Sequence, residues 1–131
     1  MVGIDSNVIL RFVNHDDKAQ TDKARKFIDN LNGDNRGYIS IVALVEVLWV
    51  LESRYKRSKK ELRNFLSYLL ESSKFSVQYA DVIAAIIISE HYRSKDISDQ
   101  IIAELGLRAG CSNTITFDKR AATIPGMQLL K

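Results

Sequence analysis

Apolar residues along this chain come in short blocks whose spacing alternates between that of strands and that of helices. Val2-Gly3-Ile4 is a brief apolar stretch ending in Asp5, the pattern of a short buried strand. Val8, Ile9, Leu10 and Phe12 predict a short helix over 7–13. Asp16 or Asp17 caps a second helix running to about position 31, with Ala24, Phe27, Ile28 and Leu31 on one face. Asn32-Gly33-Asp34-Asn35 is a turn cluster and Tyr38-Ile39 a strand. Ser40 then caps a helix through the run 41–51, whose one charge is Glu46. Ser58-Lys59-Lys60-Glu61 has the spacing of a capping box and opens a helix with Leu62, Phe65, Leu66, Leu69 and Leu70 on one face. Phe75-Ser76-Val77 is a third strand, and Asp81 caps a very apolar helix over 82–92. Asp96 or Ser98 caps the next helix, which ends near position 109 at Gly110. A strand over 113–117 precedes Asp118, which starts a turn or short helix, and Pro125-Gly126 turns the chain into a last strand over 127–130.

Strands alternating with helices define an α/β domain, with a central, mostly parallel sheet of four to five short strands flanked by helices. In such sheets ligands lie outside the carboxyl ends of the strands, where Asp5 and Asp118 fall. At 131 residues the chain is read as one domain, 1–131, with 46% apolar and 27% charged residues. One proline and six glycines argue against an all-β architecture. The net charge of +3 permits a polyanionic partner without requiring one. A lone cysteine, Cys111, excludes an internal disulfide and the usual zinc spacings, and points to a reducing, cytoplasmic setting. Neither a signal peptide nor a membrane span is expected.

Candidate chemistry resides in four acids at or inside segments that read as core: Asp5, Glu46, Asp99 and Asp118. Buried carboxylates are normally paired or bound to metal. Four together would repel unless neutralised, and a hard cation, Mg²⁺ or Mn²⁺, suits an all-carboxylate set. Each acid has a plainer reading. Asp5 is either a ligand, supported by Ser6 or Asn7, or the N-cap of the first helix. Glu46 has Val42, Trp49 and Val50 as helical neighbours and no cation among them; the alternative is a partly buried glutamate bonded to a backbone group. Of Asp96 and Asp99, one is an N-cap; Asp99, beside Ile102-Ala103, is favoured as the ligand and Asp96 as accessory. Asp118 after a strand is also ordinary turn chemistry. His15 and His91 lie in polar surroundings and read as exposed.

These segments together resemble the PIN domain, in the form of the VapC-type ribonuclease toxins. Ile4-Asp5-Ser6-Asn7-Val8-Ile9-Leu10-Arg11 resembles the family's opening Asp-Thr-Asn motif, with Ser6 for Thr. Val45-Glu46-Val47-Leu48-Trp49-Val50-Leu51 resembles the segment of the second acid, and Asp96-Ile97-Ser98-Asp99-Gln100-Ile101-Ile102-Ala103 that of the third. Thr116-Phe117-Asp118-Lys119-Arg120 resembles the fourth motif. Gln100 stands where a small residue is usual and would either crowd the cleft or donate a hydrogen bond there.

The resemblance implies a PIN-like fold and a metal-dependent endoribonuclease. Asp5, Glu46, Asp99 and Asp118 would be its catalytic acids and hold Mg²⁺ or Mn²⁺, with Ser6, Asn7, Asp96 and Thr116 accessory. It further implies an RNA substrate, a cognate VapB-like antitoxin, a homodimer, and promoter DNA bound only through the antitoxin. Rival readings are a structure-specific nuclease of the same fold, a non-catalytic RNA-binding or interaction module, and a haloacid-dehalogenase-type phosphatase, which Asn7 in place of a second Asp disfavours.

Arg54, Lys56, Arg57, Lys59, Lys60 and Arg63 face one acid, Glu61, and either guide a phosphate backbone or form a solvated inter-helix loop. Arg11, Lys119 and Arg120 follow the acids closely and are phosphate contacts or counter-charges. Trp49, Phe65, Phe75 and Tyr79 read as core; base stacking would require a solvent-facing aromatic. Phe12, Trp49, Leu51 and Tyr55 are alternative contributors to a dimer or antitoxin surface, and Cys111 reads as a small buried hydrophobe.

Overall fold

The computed structural model describes residues 1–89 and 96–131. The chain forms two compact units, Met1–Ala80 and Asp81–Lys131. The first contains β1 (Val2–Gly3), α1 (Ser6–Val13), α2 (Lys18–Asp29), β2 (Gly37–Ile39), α3 (Ile41–Ser53), α4 (Lys59–Glu71) and β3 (Phe75–Val77). Its strands form a parallel sheet in the order β1-β2-β3, with Val2 opposite Gly37 and Tyr38 opposite Ser76. Parallel neighbours need long crossovers, and the helix pairs α1-α2 and α3-α4 supply them. Ile9, Ile28, Ile39, Leu44, Val47, Leu66 and Leu69 form the core, each at most 2% exposed.

Side chains close the helix ends of this unit. The Asp17 carboxylate accepts from the Gln20 amide at 3.0 Å and the Ser40 hydroxyl from the Ala43 amide at 3.1 Å. Ser58 and Glu61 complete the capping box. Lys74 Nζ donates to the carbonyls of Ile28, Asp29 and Leu31 at 3.0–3.2 Å, putting a cation on the negative end of α2.

Among the described residues the second unit holds α5 (Ala80–Ile88, whose first residue closes the first unit), α6 (Ile97–Arg108), β4 (Thr114–Thr116), a 3₁₀ turn (Ala121–Thr123) and β5 (Met127–Leu129). β4 and β5 pair in parallel, Thr114 opposite Met127, and Ala103, Ala121, Ile124 and Met127 cluster as core. The expected α/β class with parallel pairing holds. The described strands, however, form a three-stranded and a two-stranded sheet rather than one ladder of five. Alternation predicts that a strand exists, but two or three residues carry too little pattern to choose its neighbour.

Five expectations need correction. Asp81 lies inside the first turn of α5 and pairs with Arg108 of α6 instead of capping. The part of the expected 82–92 helix beyond Ser89, with His91, lies outside the described residues. Phe75 is buried and Phe65 half-buried, but Trp49 is 68% exposed and Tyr79 is exposed, at φ 55°. Leu51, by contrast, is buried and cannot be surface. α3 is apolar on nearly every side, so composition could not say which face turns inward; the buried set Ala43, Leu44, Val47, Leu48 and Leu51 sends Trp49 outward. Cys111 is an exposed free thiol, because the chain leaves α6 through Gly110 (φ 97°) before β4 begins.

Gly37 is buried where β2 passes Ile4 and Leu31. A β-carbon there would overlap Ile4 Cδ1 and stand 2.9 Å from Leu31 Cδ1. Both are ends of flexible side chains, but both are buried. Gly37→Ala is therefore expected to destabilise by about 1 kcal/mol, the low end of overpacking costs, measured as a lower urea midpoint at unchanged m-value.

Candidate functional site

The first unit carries two of the four acids and joins their segments. Asp5 occupies the N-cap position of α1 in extended conformation, yet its carboxylate makes no cap hydrogen bond; its backbone carbonyl accepts from the amides of Val8 and Ile9. The N-cap reading of the Asp5 side chain is thus not realised. Next in sequence, Ser6 is buried, and its hydroxyl donates to Glu46 Oε2 at 2.8 Å. That bond spans 40 positions of sequence and ties the start of α1 to the middle of α3.

Glu46 is not buried, as its apolar neighbours implied, and its partner is a hydroxyl rather than a backbone group. Val42, Glu46, Trp49 and Ser53 are all exposed, spaced as one outward face of α3. Asp5 and Asp118 are exposed as well and Asp99 is half-buried, so none of the four acids is a core carboxylate. Beside Asp5 an open cleft of about 490 Å³ is bordered by Val2, Asn7, Val8, Arg11 and Lys23.

Arg11 behaves here as a counter-charge. Its Nη1 donates to Asp16 at 3.0 Å and its Nε to Gln20 at 2.5 Å, while the Tyr55 hydroxyl donates to the same Asp16 carboxylate. The Tyr55 hydroxyl first, and Arg11 with it, hold the Asp16 carboxyl below its ordinary 3.8, and Asp16 pushes the Tyr55 phenol upward. These partners join the end of α1 to the start of α2 and to two loops, and have no periodic signature in the sequence. The basic segment separates: Arg54, Lys56 and Lys60 are exposed, Arg57 pairs with Glu61 at 3.3 Å, and Arg63 is buried. His15 is exposed beside Arg25.

In the second unit, Asp96 caps α6 by accepting the Asp99 amide at 3.2 Å, which leaves Asp99 in the first turn, where the helix dipole favours a negative charge. Gln100 is buried and its Nε2 donates to the Asp96 carbonyl at 3.2 Å, so it supports the cap. Asp118 Oδ1 accepts from the amides of Arg120 (2.8 Å) and Ala121 (3.1 Å), and Thr116 Oγ1 accepts from the Asp118 amide at 3.0 Å. Asp118 therefore does serve as turn chemistry, with Thr116 holding its backbone. Lys119 and Arg120 are exposed next to it.

The PIN domain family profile matches residues 2–127, so the chain belongs to the PIN domain family. PIN domains are in general metal-dependent nucleases and typically use divalent ions. No curated protein sequence matches the chain. No helix among the described residues is long and apolar enough to cross a membrane.

The donor chemistry fits a hard divalent ion. All four acids offer carboxylate oxygens, Asp5 is not used as a cap, and the bonds to Glu46 Oε2 and Asp118 Oδ1 each involve one oxygen of the pair. Among the described residues of either unit alone, no three His, Cys, Asp or Glu side chains gather to hold an ion.

The caps give two expected outcomes. Asp5→Ala should change stability by no more than about 0.5 kcal/mol, as for a surface site. Asp118→Ala should cost about 0.5–1.5 kcal/mol through the lost bonds to the Arg120 and Ala121 amides, and Asp118→Asn, which keeps an acceptor oxygen, should restore most of it; denaturant midpoints of the three variants check this. A third concerns pH. A folded-state pKa depressed below the unfolded value adds stability above the ordinary carboxylate range, lost as pH falls through the folded pKa. Tyr55→Phe should move the Asp16 titration up toward 3.8, followed by carboxyl-carbon NMR; no movement would mean the Tyr55 hydroxyl does not hold the carboxylate.

Proposed function

We propose that the chain is a Mg²⁺- or Mn²⁺-dependent endoribonuclease, the toxin of a VapBC-type pair, hydrolysing RNA phosphodiester bonds. The observation that carries the reading is the Ser6–Glu46 hydrogen bond. It brings the first two acidic segments of the family's pattern together while the Asp5 carboxylate is left out of helix capping. Asp5, Glu46, Asp99 and Asp118 are assigned as metal ligands and catalytic acids on their motifs and their all-oxygen chemistry. The chemistry such an ion supplies is charge against the developing negative phosphate and a more acidic water.

The residues of the chain have separable roles in this reading. The Ser6 hydroxyl orients Glu46. Asp96 and Gln100 hold the helix start that presents Asp99, and Thr116 holds the turn that presents Asp118. Arg54, Lys56, Arg57, Lys119 and Arg120 are assigned as contacts for RNA phosphates, Arg57 from its pair with Glu61, and Arg11 braces the loop after α1. As a VapC-type toxin the protein would work in the cytoplasm as a homodimer, be restrained by a VapB-like antitoxin, and reach promoter DNA only through that antitoxin.

The test is incubation of mixed transfer and ribosomal RNA with Mg²⁺ or Mn²⁺, then with chelator, alongside Asp5→Asn. Discrete fragments that require metal and vanish in the variant are expected. Mg²⁺ at a hundred times Kd should also stabilise the fold by about 2.7 kcal/mol through mass action, read as a higher melting temperature, and do so less in Glu46→Gln. Fragments unaffected by Asp5→Asn would remove the site assignment; metal binding without cleavage of any RNA would favour a non-catalytic binding module.

A further inference from the structure

α3 presents one outward face, Val42, Glu46, Trp49 and Ser53, and the chain's single tryptophan is its largest member at 68% exposed. An indole so exposed loses the burial that normally retains it in a soluble protein. Its neighbours say what covers it. One turn before it is Glu46, bound to Ser6. Past the end of the helix come the exposed cations Arg54 and Lys56, the latter turned at φ 54° into the loop, and then Lys60. At about 1.5 Å rise per residue, Trp49 lies about 4.5 Å along the axis from Glu46, and Arg54 about 12 Å from it. Glu46 and Trp49 share one face of α3, and the cationic loop begins at the C-terminal end of that helix, with Arg54 about 140° round the axis from Trp49.

We propose that Trp49 is a stacking platform for a base of single-stranded RNA, with Arg54 and Lys56 contacting its phosphates, so that the nucleotide beside Glu46 is held by its ring face. The proposal rests on the nuclease reading, in which Glu46 binds the ion beside the scissile phosphodiester. A π-face accepts any base, so this contact supplies affinity and position rather than sequence choice. The cations favour a polyanion over an apolar partner.

Because Trp49 is the only tryptophan, its fluorescence reports directly on the site. The experiment titrates oligouridylate and oligoadenylate of eight nucleotides into the Asp5→Asn protein with chelator present, so that no cleavage intervenes. Saturable quenching that weakens with salt is expected. Anisotropy of a labelled oligonucleotide should show Trp49→Ala losing affinity about 5- to 150-fold, the weight of one base–aromatic stack, with Trp49→Phe retaining part of it and circular dichroism unchanged. Equal affinity in Trp49→Ala would overturn the proposal even if the parent protein cleaves RNA. Tryptophan emission that changes with protein concentration and not with RNA would assign the face to a second copy and also overturn it. RNA-dependent quenching in a chain that cleaves nothing would instead leave Trp49 as an RNA contact and remove the nuclease reading.

Discussion

Burial of one stripe of α3 governs how the first unit presents its chemistry. Ala43, Leu44, Val47, Leu48 and Leu51 must leave water, and with 3.6 residues per turn their burial leaves Val42, Glu46, Trp49 and Ser53 facing outward. Glu46 is then held by the buried Ser6 hydroxyl, itself positioned by the first turn after β1. A slip of α3 by one residue would rotate Glu46 by about 100° and break that bond. The packing of an apolar helix and the placement of the Glu46 carboxylate are thus one constraint.

The two units solve the same problem in different ways. In the first, the acids stand outside the capping chemistry: Asp17, Ser40 and Ser58 cap the helices, and Asp5 does not. In the second, Asp96 caps α6 while Asp99 stays in the first turn, and Asp118 gives one oxygen to its own turn. A carboxylate has two oxygens and several lone pairs, so a structural bond and a ligand role are compatible in one residue.

The premise that the four acids are buried does not survive, although the chain's resemblance to the PIN family does. An acid within an apolar run need not face the core, because on a helix the run covers all sides and the charge marks the outward one. Trp49 follows from the same error: one turn from Glu46, it shares the exposed face.

What the sequence by itself determined is local or ordered along the chain. Its caps at Ser40 and Ser58, the narrowing of two others to Asp16 or Asp17 and to Asp96 or Ser98, the turns at Asn32 and Gly126, and the helix and strand order are legible, because each depends on a few neighbouring residues. Only the tertiary structure decided which strands pair, that Ser6 reaches Glu46 across 40 positions, that Arg11 meets Asp16, Gln20 and, through Asp16, Tyr55, and that Trp49 and Cys111 face solvent. Those outcomes depend on which of several apolar surfaces is buried against which, a choice made by packing across the chain rather than by residues adjacent in it.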